Sequence, residues 1–208
     1  MKNTLFAIFT ASALNVLSQD TVFVHYADGQ LKAKGVLISG TKEGEWRYFY
    51  PDGRLNAVQT FTSGRLHGPI CYFYPDGKPE SVEQWQHGVM HDSAWYYYEN
   101  GKVYRKGKFN GSKYEGTWIY FHSNGIVQRI VNYEAGLPHG RVQIFNERGI
   151  LVQDGNYFLG KEAGMWKFFD DDGRLTFSGE YVDGQRTGTW YQYTRNGKRK
   201  VWKPDEKE

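Results

Sequence analysis

A single cysteine, Cys71, stands in a chain of 208 residues, so no disulfide can form within it. That is compatible with export into an oxidising compartment without arguing for it. Cys71 does not follow the apolar N-terminal stretch, so it offers no lipid anchor there, and it reads as a small strand residue. Beyond that stretch no run is long and apolar enough to span a bilayer as a helix. A dominant charge is missing too: 26 Lys and Arg stand against 23 Asp and Glu, and the surplus sits in Lys2 and the tail 195–208. The nearly neutral body lacks the basic stripe of a nucleic-acid binder and the basic cluster of a protein that docks on acidic lipid. The run KRKVWK at 198–203 reads as a solvated terminal strand, whose charge, with Pro204, guards the last sheet edge.

Catalytic groupings are absent as well. No Ser-His-Asp or Cys-His arrangement stands out, no glycine-rich loop leads into a helix, and the acidic residues are scattered over turns. His67, His91 and His139 occupy one position of a repeat, but equivalent positions two strands apart lie about 10 Å from each other, too far to share one ion. Asp170-Asp171-Asp172-Gly173 lacks the alternating ligands and distal Glu of a calcium loop and reads as a turn. The expectation is a protein that is not an enzyme and uses no metal or cofactor.

Residues 1–18, MKNTLFAIFTASALNVLS, combine one Lys, an apolar stretch and small residues before Gln19, the pattern of a secretory signal peptide. Cleavage near Ser18 would leave residues 19–208 as one repeat domain, periplasmic or secreted.

What the chain has in quantity is glycine at fixed spacing. It stands at 29, 53, 77, 101, 125, 149, 173 and 197, every 24 residues without insertion or deletion. A second series runs through 44, 68, 116, 140, 164 and 188, and a third through 40, 64, 88, 136, 160 and 184. Fixed periodicity of this kind marks a repeat architecture. The unit 44–67, GEWRYFYPDGRLNAVQTFTSGRLH, reads as strand, turn, strand, loop, because both aromatic and β-branched runs are short and bounded by turn residues. Its first turn, Pro51-Asp52-Gly53, recurs as Pro75-Asp76-Gly77, Glu99-Asn100-Gly101 and Ser123-Asn124-Gly125. Two right-handed positions followed by a left-handed glycine make a three-residue hairpin loop.

That turn sets Phe49 opposite Leu55 and sorts the strands into two faces. One face carries Phe49, Leu55 and Phe61 with their repeat equivalents, a packing spine. The other carries Trp46, Tyr48 and Tyr50, then Tyr72 and Tyr74, then Tyr96 and Tyr98, then Trp118 and Tyr120. A β-bulge would exchange faces locally. Glycines 35, 107, 155 and 179 leave room for neighbouring rings to lie over the backbone.

The run Tyr181 to Trp190, YVDGQRTGTW, echoed at 157–166 and 133–142, resembles the MORN repeat, and more closely the bacterial MORN-variant repeat of proteins labelled YwqK-type antitoxins. The resemblance spans about residues 20–202. It implies an all-β fold: an elongated, twisted, single-layer antiparallel β-meander of hairpin repeats, acting as an interaction module without catalytic residues. Asp92 and Ser112 interrupt two of the glycine series and predict an irregular middle. About sixteen strands at ~4.8 Å spacing give a ribbon on the order of 75 Å long. Aromatic residues make up 17% of the chain; most serve cohesion, and the tyrosine face either serves sheet stability alone or, since tyrosine joins a large apolar area to a hydroxyl, recognition. The reading is therefore an exported scaffold that binds a protein partner, with Trp46, Tyr48, Tyr50, Tyr72, Tyr74, Tyr96, Tyr98, Trp118 and Tyr120 as a recognition stripe. Two alternatives stay open: an antitoxin or immunity protein that neutralises a toxin, and a cell-wall or glycan binder.

Overall fold

The computed structural model describes residues 18–202, so the proposed signal peptide lies, but for Ser18, outside the described residues. Seventeen strands form one open sheet: β1 (Gln19–His25), β2 (Leu31–Ile38), β3 (Thr41–Phe49), β4 (Leu55–Thr62), β5 (Arg65–Leu66), β6 (Gly68–Phe73), β7 (Pro79–Gln86), β8 (Val89–Tyr97), β9 (Val103–Asn110), β10 (Lys113–Phe121), β11 (Val127–Glu134), β12 (Leu137–Phe145), β13 (Leu151–Phe158), β14 (Lys161–Phe169), β15 (Leu175–Val182), β16 (Gln185–Tyr193) and β17 (Arg199–Val201). Every strand pairs antiparallel with its neighbours in the chain, and β5 and β6 share one place beside β4, interrupted at His67. The all-β single-layer meander is the architecture the repeat implies.

Two kinds of turn alternate. At the first, Gly53 N donates to Tyr50 O (2.9 Å), Tyr50 N donates to Arg54 O (2.8 Å), and Gly53 takes φ +84°, the three-residue loop that the Pro-Asp-Gly motif encodes. Asp52 Oδ1 accepts from Arg54 N (3.0 Å), which explains why Asp or Asn recurs at that place. The second turn has two residues, both left-handed, as at Ser63 (φ 50°) and Gly64 (φ 75°). Asp92 and Ser112 adopt φ 65° and 63° themselves, so the middle of the sheet keeps its period and the expected irregularity does not occur.

Phe49 does stand opposite Leu55, but the next pair is Tyr48 with Ala57, leaving Asn56 unopposed. This bulge corrects the face assignment. Beyond it, Ala57, Gln59 and Phe61 lie on the same face as Trp46 and Tyr48, while Phe49 and Leu55 stay on the other. The same slip follows Tyr72, Tyr96, Tyr120, Ile144 and Phe168, so the spine expected to run through Phe49, Leu55 and Phe61 is divided at each of these hairpins.

The core is one row on this face. Trp46, Trp118, Trp166 and Trp190 each lie flat on a glycine of the preceding strand, Gly35, Gly107, Gly155 and Gly179, where any Cβ would collide with the indole. Three of the indoles also donate Nε1 to a backbone carbonyl beside that glycine: Trp46 to Val36 (3.1 Å), Trp118 to Lys108 (2.9 Å) and Trp166 to Asn156 (3.1 Å). The repeats without this pair fill the row differently, with Gln59 and Ile70, Glu83 and Ala94, or Val131 and Val142. A large ring over no side chain and two medium side chains are alternative ways to fill the same volume. Phe61, Phe109, Tyr157 and Tyr181 close the row edge-on, each such contact contributing ~0.5–1.5 kcal/mol. Trp118 has no exposed surface at all in a sheet of one layer, which shows how completely neighbouring side chains cover it.

Candidate functional site

Beside the core row, the pairing register builds a second line of side chains across the strands. Tyr48, Ala57, Tyr72, Ser81, Tyr96, Arg105, Tyr120 and Arg129 stand opposite one another in succession from β3 to β11. Tyrosine occupies alternate strands because one position of the repeat is tyrosine at 48, 72, 96 and 120, and the strand between supplies a small residue or an arginine.

The nine stripe residues thus have three different situations. Trp46, Trp118 and Tyr120 are buried, at 3%, 0% and 3% exposure, and belong to the core. Tyr50, Tyr74 and Tyr98 form a ladder along the first-turn edge. Their hydroxyls donate to the carbonyls of Phe73 (2.7 Å), Tyr97 (2.7 Å) and Phe121 (2.8 Å), each one repeat further on, with Tyr26 and His122 making the same contact to Phe49 and Phe145. Tyr48, Tyr72 and Tyr96 remain half-buried, with part of each ring accessible. Their hydroxyls lean over the core row: Tyr48 Oη accepts from Lys42 Nζ (2.8 Å) and Tyr72 Oη accepts from Gln59 Nε2 (3.2 Å).

Arg105 and Arg129 escaped the reading of the sequence. The signal was the column itself, in which Ala33, Ala57 and Ser81 give way to arginine at 105 and 129. Arg105 Cζ lies 4.2 Å from the Tyr96 ring centre and Arg129 Cζ 3.9 Å from that of Tyr120. Arg105 Nη1 donates to Tyr114 Oη (2.7 Å), but the Nε of both guanidiniums is buried without a partner, and neither makes an ion pair among the described residues.

Burial pushes the phenols of Tyr72 and Tyr96 up, and carries that of Tyr120 up to about 12, with the Tyr133 hydroxyl adding to the effect. The folded chain therefore holds more protons than the unfolded chain between the ordinary phenol value of about 10 and about 12. The stability these tyrosines confer is complete below about pH 10 and is lost as pH rises toward the folded value. Alkaline titration should show tyrosinate absorbance rising together with loss of the far-ultraviolet β signal. Tyr120→Phe should move that unfolding to higher pH; an unmoved midpoint would mean that Tyr120 does not drive it.

Depressions also lie elsewhere on the described sheet. An open one of about 440 Å³ is lined by His67, Gln84, Trp85, His91 and Asp92. Here the His67 ring also meets that of His87 in the adjacent loop, with ring centres 5.0 Å apart. Among the described residues no three His, Cys, Asp or Glu side chains gather to hold a metal. Another, about 190 Å³ and almost wholly apolar, lies between Phe168, Phe177, Trp190 and Trp202 under Arg186.

No curated protein sequence matches the chain. Among solved structures, a chain of the TcdB2-TccC3-Cdc42 crystal structure aligns at 11% identity over 84% of this chain and 13% of that one, with a TM-score of 0.20. A Bacteroides fragilis protein of unknown function aligns at 9% identity over 92% of this chain and 94% of that one, with a TM-score of 0.12. The present chain thus spans only 13% of the length of the first of these. The family comparison is the informative one. Three segments, 42–62, 66–87 and 114–135, match the MORN repeat variant, and each covers the two strands of one hairpin with the glycine turn between them. The chain therefore carries MORN repeat-variant units at these three segments.

Proposed function

We propose that the chain is an exported, non-enzymatic scaffold that binds a protein partner through the aromatic face of its sheet. The observation that carries this reading is the tyrosine row: Tyr48, Tyr72 and Tyr96 keep part of each ring accessible at regular intervals on a ribbon whose core row is already closed. Tyrosine joins a large apolar area to a hydroxyl at low entropic cost, which suits it to recognition. The extended sheet offers a long contact surface, and hydrogen-bonded neighbours hold Tyr48 and Tyr72 in place.

Cross-linking in the native cell envelope, with the tagged chain as bait, tests the reading. One dominant protein should be captured, and a Tyr48→Ala, Tyr72→Ala, Tyr96→Ala variant with an unchanged circular dichroism spectrum should lose it by about tenfold or more. Undiminished capture by that folded variant removes the tyrosine row from the interface. Growth rescue on coexpression with the captured protein would make the partner a toxin and the chain its antitoxin or immunity protein. Retention on purified cell wall, with no protein captured, would make the ligand a glycan instead.

A further inference from the structure

We infer that the segment bound by the tyrosine row is acidic and proline-rich, lying across the strands as a polyproline II helix; the inference rests on the scaffold reading above and names the chemistry of its partner. The first argument is spacing. Tyr48, Tyr72 and Tyr96 stand on every second strand position, so with ~4.8 Å between strands they recur every ~9.6 Å. A polyproline II helix repeats one side every three residues, or ~9.3 Å. An extended strand repeats one side every ~6.7 Å and falls out of phase at the second ring. Two turns of α-helix cover ~10.8 Å and drift by about 1 Å at each ring.

The second argument is hydrogen bonding. Tyr48 and Tyr72 use their oxygens as acceptors, for Lys42 and Gln59, and neither hydroxyl donates to any group among the described residues. Each therefore has a proton to offer. A polyproline II segment makes no internal hydrogen bonds and presents free carbonyls, and aromatic grooves that read such segments combine ring contact with a donor of this kind.

Charge is the third argument. Arg105 and Arg129 continue the same row, two strand positions apart, again ~9.6 Å and one polyproline turn. Arg129 donates to no acceptor among the described residues, and Arg105 only to the Tyr114 hydroxyl. Both guanidiniums stack on tyrosine rings, and neither forms an ion pair with a carboxylate among the described residues. Two carboxylates three residues apart on the ligand would meet them.

The test uses a fluorescein-labelled twelve-residue peptide, mostly proline, with two glutamates three residues apart, titrated into the purified chain at low and at physiological salt. Three control peptides carry Gln for Glu, Lys for Glu, or Gly and Ser for Pro. The acidic proline peptide should bind tightest, and Arg129→Gln and Tyr72→Phe, both folded by circular dichroism, should each weaken it by about tenfold and a few-fold respectively. Equal binding of the acidic Gly and Ser peptide would reduce the site to charge alone and overturn the inference. So would no binding by any peptide. If none binds while the tyrosine variant still loses its envelope partner, this inference fails and the scaffold reading stands. If the folded tyrosine variant captures normally, the scaffold reading itself fails.

Discussion

Replacing Gly107 by valine is expected to destabilise the centre of the ribbon by about 3–5 kcal/mol, the range for losing a buried tryptophan from a core. Gly107 does not have a left-handed backbone, so valine is no burden to the strand itself. Its cost is spatial: the new side chain must occupy the place of the Trp118 ring, which is wholly buried and bonded to the Lys108 carbonyl. Displacing the indole exposes its surface, orphans that carbonyl and loosens Phe109 and Tyr114, which pack edge-on against it. The next repeat supplies the rescue, because Val131 and Val142 fill the equivalent volume. The pair Gly107→Val and Trp118→Val should therefore be more stable than the sum of the single changes by about 2 kcal/mol, within the range for contacting residues. Urea unfolding followed by tryptophan fluorescence measures all three variants. A coupling below about 0.5 kcal/mol would contradict ring-on-glycine packing.

The combined change Tyr50→Phe, Tyr74→Phe and Tyr98→Phe is expected to cost about 3 kcal/mol, roughly 1 kcal/mol for each hydrogen bond removed. The rings stay in place, so only the contacts to Phe73, Tyr97 and Phe121 are lost. Successive ladder positions lie about 10 Å apart, and their effects should add. These bonds join one repeat to the next, which in a linear array is where stability resides. The urea midpoint should fall with little change in slope, and partner capture should be unaffected, since these hydroxyls are already committed to the backbone. A midpoint unchanged from the parent would mean that water replaces the ladder at no cost.

Much of this was legible in the chain before folding was considered. The 24-residue period, the three-residue turn ending in Gly53 and the pairing of Phe49 with Leu55 all follow from local backbone rules. The stacking of rings over Gly35, Gly107, Gly155 and Gly179 follows from their missing side chains. The division of the spine was not legible, because one unopposed residue at Asn56 reverses the faces without altering the alternation of residue types. The stripe is legible in the sequence as a set of aromatic residues, but its division among core, hydrogen-bonded ladder and half-buried row is not. Trp118 and Tyr98 have the same chemistry in the sequence whether they face a neighbour's glycine, a neighbour's carbonyl or water. Arg105 and Arg129 left a trace in their column, but their meaning depends on which rings they stack against.

By itself, then, the sequence determined the repeat, its turns and the single-layer meander, since each of these is set by residues within a few positions of one another. Only the tertiary structure decided which aromatics close the core, which tie repeats together and which stay half-buried beside two guanidiniums that form no ion pair among the described residues. Those roles arise between strands a full repeat apart, where the bulge sets the face and the neighbouring side chain sets the contact.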